Sequence, residues 1–288
     1  MRSVQHQWKL ALAPWALLTV SMSWGLAFVV MKDALARQSV TNFLFTRFSV
    51  AVLIMLLIRP QVFKVMNRDL ALRAGAAGLF LGIGYIFQTF GLERAGAAIT
   101  GFVTGLYVVL TPLLVLIILR QRVNRFTWSC VAIATIGLGL LSIHGWSIGQ
   151  GELLIFISAI FFALHIIALS QWSAGRDAYA MTVVQLAVCA SLSGLASIPS
   201  GYSPPPDSGV WATVAFTAVF ATAAAFIIQT WSQAHMSATK VAVILTMEVV
   251  FAALFAIVFG GESLTLQTSL GGTLVVSAMY LILIKEKR

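Results

Sequence analysis

The sequence predicts an all-α integral membrane protein with ten transmembrane helices, arranged as two inverted five-helix repeats around a central cavity. Three observations support this prediction. The 288 residues are 60% hydrophobic and only 9% charged, whereas a soluble domain carries about 25% charged residues. The apolar residues form stretches of about 20, long enough to cross a hydrocarbon core about 30 Å thick. The two halves of the chain also repeat one pattern of polar breaks and apolar runs.

The ten predicted spans are helices rather than strands of a barrel. Backbone groups in lipid must be satisfied within a segment, and barrel strands would alternate apolar with polar residues. The first apolar run, from Leu10 to Met31, is longer than the hydrophobic part of a signal peptide, so we predict that it is retained. In chain order the spans cover residues 12–31, 41–59, 70–91, 96–119, 126–144, 152–171, 179–198, 210–231, 238–260 and 265–284.

The distribution of lysine and arginine predicts that both termini lie in the cytoplasm. In that orientation all but four of the 18 basic residues lie on the cytoplasmic side, as the positive-inside rule requires. The four that remain outside are Lys32, Arg37, Arg47 and Arg94. The formal net charge of +9 has the same explanation, so nucleic acid is not predicted as a partner. The predicted location is the cell inner (plasma) membrane.

Two segments share one layout, and they align with a shift of 141 residues: Gln88–Arg122 and Gln229–Ser263. In each, an apolar helix ends in Gln-Thr-aromatic and a short polar break follows. A second apolar run then carries one polar side chain near its middle, Tyr107 in the first segment and Glu248 in the second. The shared layout predicts an internal repeat.

The repeat divides the chain into two five-helix units. The first covers residues 10–144 and the second residues 151–284, and a proline-rich loop at 199–209 lies on the extracytoplasmic side. Because five is an odd number, the second unit must enter the membrane in the opposite direction to the first. Inverted repeats are typical of transporters, in which one site opens alternately to either side of the membrane.

Trp24 and His165 are unusual in lying at matching depths inside predicted spans. The other tryptophans fall near span ends, where aromatic belts form, but Trp24 is in the middle of the first span and its indole N–H needs a partner there. Either a neighbouring helix packs against Gly25 at this point, or Trp24 forms an aromatic wall of a central cavity. His165 is either a hydrogen-bonded packing residue or a second lining residue of that cavity.

Glu248 and Arg47 are charged residues within predicted spans. An ionised carboxylate near mid-membrane costs at least about 2.5 kcal/mol, so Glu248 must face water or a partner, or be protonated. It is either a substrate or proton site or a structural tie to a neighbouring helix. Arg47, about two turns into the second span, either reaches the outer interface by snorkelling or contacts an anion.

Three further positions complete the candidate site. Tyr85 and Gln88 are three residues apart and share one helix face, and Gln229 is the counterpart of Gln88. Small residues at the same spacing from Tyr107, Gly101 and Thr104, leave room for a ligand or for a close neighbour. Aromatic side chains would hold an apolar portion of a substrate, and polar ones would orient it. The predicted substrate-binding residues are Trp24, Tyr85, Gln88, Tyr107, His165, Gln229 and Glu248.

The sequence contains no constellation for catalysis or for a cofactor. It has no Ser-centred nucleophile motif, no Walker loop and no carboxylates paired one helical turn apart. The four histidines are scattered, and Cys130 and Cys189 lie in apolar runs, so no metal site is predicted. We therefore predict no enzyme activity and no cofactor, and any transport would be passive or coupled to an ion gradient.

Several motifs together resemble one family. The run Gly101–Leu113 is similar to the fourth-span signature of ten-helix exporters in the drug/metabolite transporter superfamily (EamA type). The resemblance implies two inverted five-helix repeats around a central cavity and export of small metabolites. The family commonly has Glu-Pro where this chain has Glu248-Val249, and Glu where it has Gln121. Further similar positions are Trp24-Gly25, Arg47-Phe48, the ending Gly260–Leu264, and the glycines Gly271 and Gly272.

The leading hypothesis is a secondary transporter that exports small organic metabolites or drugs by alternating access, with amino acids, aromatic ones favoured, as the expected class. The expected partners are a small-molecule substrate and membrane lipid, with protons as a candidate coupling ion. One alternative is a flippase for a lipid-linked precursor, which would need a basic pocket for phosphate; Arg47 and Lys32 are the candidates. A membrane-embedded enzyme is the other alternative, and the lack of paired acid and base residues disfavours it.

Overall fold

The computed structural model describes residues 2–95, 97–142, 149–260 and 265–286, and all regular structure within these ranges is helical. A 3-10 turn at Ile198–Ser200 follows the ninth helix, and a π-helical segment at Val219–Ala224 separates the tenth from the eleventh. The α-helices are α1 (Arg2–Leu35), α2 (Val40–Ile58), α3 (Val62–Val65), α4 (Arg68–Arg94), α5 (Ala97–Gly105), α6 (Tyr107–Ile118), α7 (Arg125–Ser142), α8 (Gln150–Trp172), α9 (Ala178–Ser197), α10 (Ser208–Ala218), α11 (Ala225–Gln233), α12 (Ala238–Leu245), α13 (Met247–Gly260) and α14 (Leu266–Glu286).

Eight helical stretches of the described residues are long and apolar enough to cross a membrane, and two shorter apolar stretches are present at Arg125–Leu140 and Ser269–Ile284. The prediction of an all-helical membrane protein is therefore confirmed, whereas the number of ten spans stays a prediction. The two shorter stretches fall on the predicted spans 126–144 and 265–284. Residues 143–148 and 261–264, which hold the end of one predicted span and most of the Gly260–Leu264 motif, lie outside the described residues.

Two of the predicted spans, 96–119 and 238–260, each consist of two helices. The first is interrupted at Leu106, where Leu106 N–H donates to Val103 O at 3.2 Å and Val109 N–H donates to Leu106 O at 2.9 Å. The second is interrupted at Thr246, whose hydroxyl donates to Val243 O at 2.6 Å. Three-residue backbone bonds occur at both points, since Val249 N–H donates to Thr246 O at 3.1 Å in the second span. They lie beside four-residue bonds from Leu110 N–H to Leu106 O and from Thr246 N–H to Ala242 O. Neither interruption coincides with a proline, so the helix breaks near Glu248 although the proline common in the resembling family is absent.

The predicted halves are interleaved through their helices. Helix α4 packs against α8 and α9, α1 packs against α13, and α2 packs against α9. Glycines permit close approach of these helices: a Cβ atom added to Gly78 of α4 would lie 2.9 Å from the Cα atom of Gln185 on α9. The cavity described below lies where α1, α2, α4 and α6 of the first half meet α8, α11 and α13 of the second half.

Polar contacts tie α2 to the second half at both of its ends. Near its start, Gln38 donates to Ser203 O at 3.1 Å and Asn42 donates to Gly201 O at 3.3 Å, so the proline-rich loop lies against this end. Beyond its other end, Arg59 donates to both carboxylate oxygens of Asp177, at 3.1 and 2.8 Å. These contacts hold the helix that carries Arg47 against α9 and the loop that precedes α10.

Candidate functional site

A cavity between the two halves contains all seven predicted substrate-binding residues. It has about 560 Å³ of space not filled by atoms, including its open mouth. The predicted residues on its wall are Trp24, Tyr85, Gln88, Tyr107, His165, Gln229 and Glu248. The structure thus brings these residues together, and their role in substrate binding remains a prediction.

Most of these residues form pairs of equivalent positions in the two halves. Trp24 and His165, Tyr85 and Phe226, Gln88 and Gln229, and Tyr107 and Glu248 are each separated by 141 residues, and all eight line the cavity. These lining residues therefore show the same 141-residue spacing that aligns the two segments in the sequence.

Tyr107 and Glu248 contact each other directly. The hydroxyl of Tyr107 donates to Glu248 Oε1 at 3.3 Å, and each residue is only 3% exposed. The two helix interruptions explain their position, because Tyr107 begins α6 and Glu248 lies in the first turn of α13. The backbone N–H groups of a first helical turn carry partial positive charge, which stabilises a carboxylate at this place.

Trp24 has the hydrogen-bond partner that its mid-span position requires. Its Nε1–H donates to Ala221 O at 2.9 Å, and this carbonyl belongs to the π-helical segment Val219–Ala224. The next residue, Gly25, packs so closely on α13 that a Cβ atom would lie 2.7 Å from Glu248 O. Both interpretations of this dipeptide therefore apply: Trp24 lines the cavity and Gly25 packs a helix pair.

An aromatic cluster centred on Tyr85 forms the apolar part of the wall. Its ring lies edge-on to Phe48, Phe162 and Phe226, with centroid separations of 5.2, 5.4 and 6.0 Å. Trp24 joins the cluster through Phe226 at 5.5 Å. Edge-to-face pairs at these separations are favourable because ring edges carry partial positive charge and ring faces partial negative charge.

His165 lines the cavity and is also tied to α9. Its Nε2 lies 2.8 Å from Gln185 Oε1, and Gln185 Nε2 lies 3.4 Å from the hydroxyl of Thr230. Because Gln185 offers its oxygen to the ring, His165 donates from Nε2. The side chain is 1% exposed, and it is also part of the cavity wall. His165 is therefore both a hydrogen-bonded packing residue and a residue that lines the cavity.

The two glutamines of the site differ in how their amide groups are used. Gln88 Nε2 donates to the hydroxyl of Thr104 at 3.1 Å. Gln229 Nε2 donates to Gln233 Oε1 at 3.0 Å, and Gln233 in turn donates to Ile166 O at 2.6 Å. Gln229 Oε1 is buried without a hydrogen-bond partner among the described residues. An unpaired buried acceptor is unfavourable, so a donor from water or a ligand is expected to bind here.

Arg47 is a cavity residue that the predicted set omitted. Its side chain is 1% exposed, so it does not snorkel to a surface in this structure. Nε donates to Thr222 Oγ1 at 2.7 Å, Nη2 donates to Ala221 O at 3.1 Å, and the guanidinium carbon lies 5.1 Å from the Tyr85 ring centroid. The sequence signal was present, since an anion contact was one of the two interpretations of this residue.

Apart from Thr104, which accepts from Gln88, the remaining omitted residues are apolar and carry little signal in so hydrophobic a chain. Phe28 and Met31 extend the wall along α1, and Phe162 faces Tyr85 from α8. Among the described residues, no group of three or more His, Cys, Asp or Glu side chains is placed to hold a metal ion.

Comparison with known proteins places the chain in a family. The model of the EamA-like transporter family matches residues 11–143 and again residues 149–284. An uncharacterized transporter of Archaeoglobus fulgidus is 30% identical over 267 residues, covering 92% of this chain and 84% of that protein. A crystal structure of a protein with 16% identity superposes with a TM-score of 0.78, covers 93% of this chain and 97% of the other, and shows the fold alone. The chain belongs to the EamA-like transporter family and is a multi-pass membrane transporter.

Proposed function

We propose that this transporter exports small organic metabolites or drugs across the inner membrane by alternating access, with amino acids, aromatic ones favoured, as the substrate class. The observation that carries the proposal is the cavity between the halves, whose wall consists largely of equivalent positions 141 residues apart. A site built equally by two units can be exposed by either unit moving against the other.

The proposed units are residues 10–144 and 151–284, inserted in opposite directions with both termini in the cytoplasm. The interruptions at Leu106 and Thr246 support this division, because they occur at nearly equivalent points and flank the cavity. Discontinuous helices at mid-membrane are a recurring feature of transporter sites, where helix ends face the substrate. Residue 144, at the end of the first unit, lies outside the described residues.

The wall chemistry supports an amphipathic substrate. The rings of Tyr85, Phe162 and Phe226 would hold an apolar body, and stacking or edge contacts favour an aromatic one. Gln229 Oε1 and the carboxylate of Glu248 would accept hydrogen bonds from an ammonium, amide or hydroxyl group. Glu248 is also the candidate proton site, since protonation would remove the charge that its buried position disfavours.

A lipid-linked precursor is not supported as the substrate. The basic pocket of a flippase would require Arg47 and Lys32 to act together on a phosphate. Arg47 lines the cavity, whereas Lys32 is exposed and is not part of the wall.

Transport assays in proteoliposomes test the proposal directly. Purified protein is reconstituted and exchange is measured with a radiolabelled panel of amino acids and uncharged metabolites, with and without a pH gradient. We expect saturable flux of aromatic amino acids that falls strongly in Trp24→Ala and in Glu248→Gln. The proposal is wrong if both variants transport every substrate of the wild type at the wild-type rate. Gradient-independent flux in wild type would count against a proton site at Glu248.

A further inference from the structure

We infer that Arg47 is the anion-binding residue of the cavity, and that the transported solute carries a carboxylate or a similar anionic group which pairs with its guanidinium. The part of this inference that concerns transport rests on the proposed function. The part that concerns anion binding rests on the cavity alone and can be tested without transport.

Arg47 is a deeply buried cation with only neutral partners. The atoms that accept its hydrogen bonds are the hydroxyl of Thr222, the carbonyl of Ala221 and, at 3.3 Å, the sulfur of Met31. None of the ion pairs among the described residues includes it. A charge removed from water remains costly unless an opposite charge or several strong acceptors surround it. The cavity therefore offers an unbalanced positive charge to any solute that enters.

The nearby carboxylate does not neutralise this charge. Glu248 lines the same cavity, but it accepts a hydrogen bond from Tyr107, and no nitrogen of Arg47 lies within 4.0 Å of its carboxylate. The two opposite charges share one cavity wall without forming a pair. A solute that brings its own anionic group can pair with Arg47 and leave Glu248 free to meet a donor.

The guanidinium is held in position by the π-helical segment. A π turn lets backbone groups depart from the α-helical bonding pattern, and Ala221 O in this turn accepts from both Arg47 Nη2 and Trp24 Nε1. Thr222, in the same turn, fixes Nε, and the Tyr85 ring covers the group at 5.1 Å. A guanidinium held by fixed partners can present its planar edge to a carboxylate with little further loss of side-chain freedom.

Arg47 has no equivalent in the second half on the cavity wall. The equivalent position in the second half is Val188 on α9, which is not a lining residue. The charge is therefore not a requirement of the five-helix unit that both halves share. A charge present in one half only, inside the cavity, is expected to serve recognition of the solute.

Benzoate and benzamide provide a test that does not depend on knowing the substrate. The two molecules have nearly the same shape, and only benzoate is an anion. Thermal unfolding of the purified protein in detergent is measured with increasing amounts of each, at matched ionic strength. We expect benzoate to raise the unfolding midpoint of the wild type and benzamide to act at least about tenfold more weakly, as the loss of one charge-assisted hydrogen bond predicts.

Three variants assign the effect to Arg47. Arg47→Met should abolish the preference for benzoate. If Arg47→Met does not fold, Arg47→Lys, which keeps the charge but not the planar fork, and Thr222→Val, which removes the acceptor of Nε, should each weaken benzoate binding. Arg73→Met is the matched control, because it removes an exposed arginine that pairs with Asp69 outside the cavity, and it should leave the preference unchanged.

The inference is overturned if benzoate fails to stabilise the wild type, if benzamide stabilises it equally, or if the variants of Arg47 and Thr222 keep the full preference. Failure of the anion site and failure of the proposed export can be told apart by combining this test with the transport assay. A benzoate effect that depends on Arg47, without flux of any solute, leaves the anion site standing and counts against the proposed export. Flux that is equal for acids and for their amides supports export and contradicts the anion site.

Discussion

Tyr107 and Glu248 join the two halves of this transporter by one hydrogen bond, 3.3 Å from the phenol oxygen to Oε1, between positions 141 residues apart. The bond links the first turn of α6 to the first turn of α13 on the wall of the cavity. A movement of one half against the other stretches this contact unless the two residues move together. The contact therefore links the two halves directly on the cavity wall.

We predict that Tyr107→Phe and Glu248→Gln each reduce transport, and that the double variant is little worse than the more impaired single variant. A buried hydrogen bond to a charged group contributes about 1.5–3 kcal/mol, so a rate loss of about tenfold or more is expected. Initial rates in proteoliposomes for the four proteins give the coupling. Tyr280→Phe, at a tyrosine that is 61% exposed, is the control. Additive losses would show that the two residues act independently.

We predict that Gly25→Ala impairs both stability and transport. A Cβ atom at this position would lie 2.7 Å from Glu248 O and from Ala252 N, and 2.8 Å from Phe251 Cβ. Helix α1 must then move away from α13, displacing Trp24 and Glu248, and such overpacking costs about 1–3 kcal/mol. Gly75→Ala is the matched control on α4, because no atom of the described residues lies within 4 Å of its added Cβ. A wild-type unfolding midpoint for Gly25→Ala would contradict the close packing.

Alternating access predicts that Phe28 and Leu169 exchange their surroundings. They are separated by 141 residues; Phe28 lines the cavity, while Leu169 is fully buried and does not. Cysteine at each position, in a protein whose two buried native cysteines are replaced by alanine, is labelled with a membrane-impermeant maleimide. We expect labelling of the two positions from opposite faces of the membrane. Leu138→Cys, buried on α7, should stay unlabelled.

A result in which both positions react from one face, or in which Leu169→Cys never reacts during transport, would rule out the exchange. Addition of a transported solute should change the two labelling rates in opposite directions, because one movement closes one opening and creates the other.

The contact between Arg59 and Asp177 predicts a dependence of stability on pH. Partial burial raises the pKa of Asp177. Hydrogen bonds from Arg59 and from the Ala180 N–H lower this pKa by a larger amount, so the net pKa lies below its ordinary value. A depressed carboxyl pKa stabilises the fold above the unfolded pKa, about 3.9, and this contribution is lost as pH falls through the lower folded pKa.

Two substitutions separate the ion pair from the helix cap. Asp177→Asn keeps an N-cap acceptor for α9 and should cost less than about 1 kcal/mol at pH 7, whereas Asp177→Ala also loses the cap, a further loss of about 1 kcal/mol. Unfolding midpoints of the three proteins between pH 7 and pH 3 provide the measurement. The difference in unfolding midpoint between the wild type and Asp177→Asn should become smaller only at the acid end of this pH range. A gap that is constant with pH would show that the pair does not titrate as predicted.

The hydropathy pattern predicted the all-helical membrane fold, which is confirmed, while the number of ten spans and the substrate-binding role of the site residues stay predictions. Trp24, His165 and Glu248 stood out because a polar or indole N–H group in an apolar helix needs a partner, and few such partners exist. The structure places these residues on one cavity wall.

The helix interruptions could not be predicted. No proline lies at Leu106 or Thr246, and α12, which ends next to Thr246, packs against α1 and α6. The π-helical segment carries no clear signal either, because Val219–Ala224 contains neither glycine nor proline. Its consequence, a carbonyl shared by Trp24 and Arg47, depends on two other helices.

By itself the sequence determined that the chain is a helical membrane protein, with its rare mid-membrane polar and aromatic residues in two matching sets. The reason is energetic: lipid tolerates only helices with internally satisfied backbones, and it confines polar side chains to protected positions. Only the tertiary structure decided which of these side chains meet: Tyr107 with Glu248, His165 with Gln185, and Arg47 with Thr222 rather than with a carboxylate. Contacts near 3 Å depend on the rotation and shift of each helix against its neighbours, and apolar surfaces that face lipid and apolar surfaces that face protein look alike in sequence.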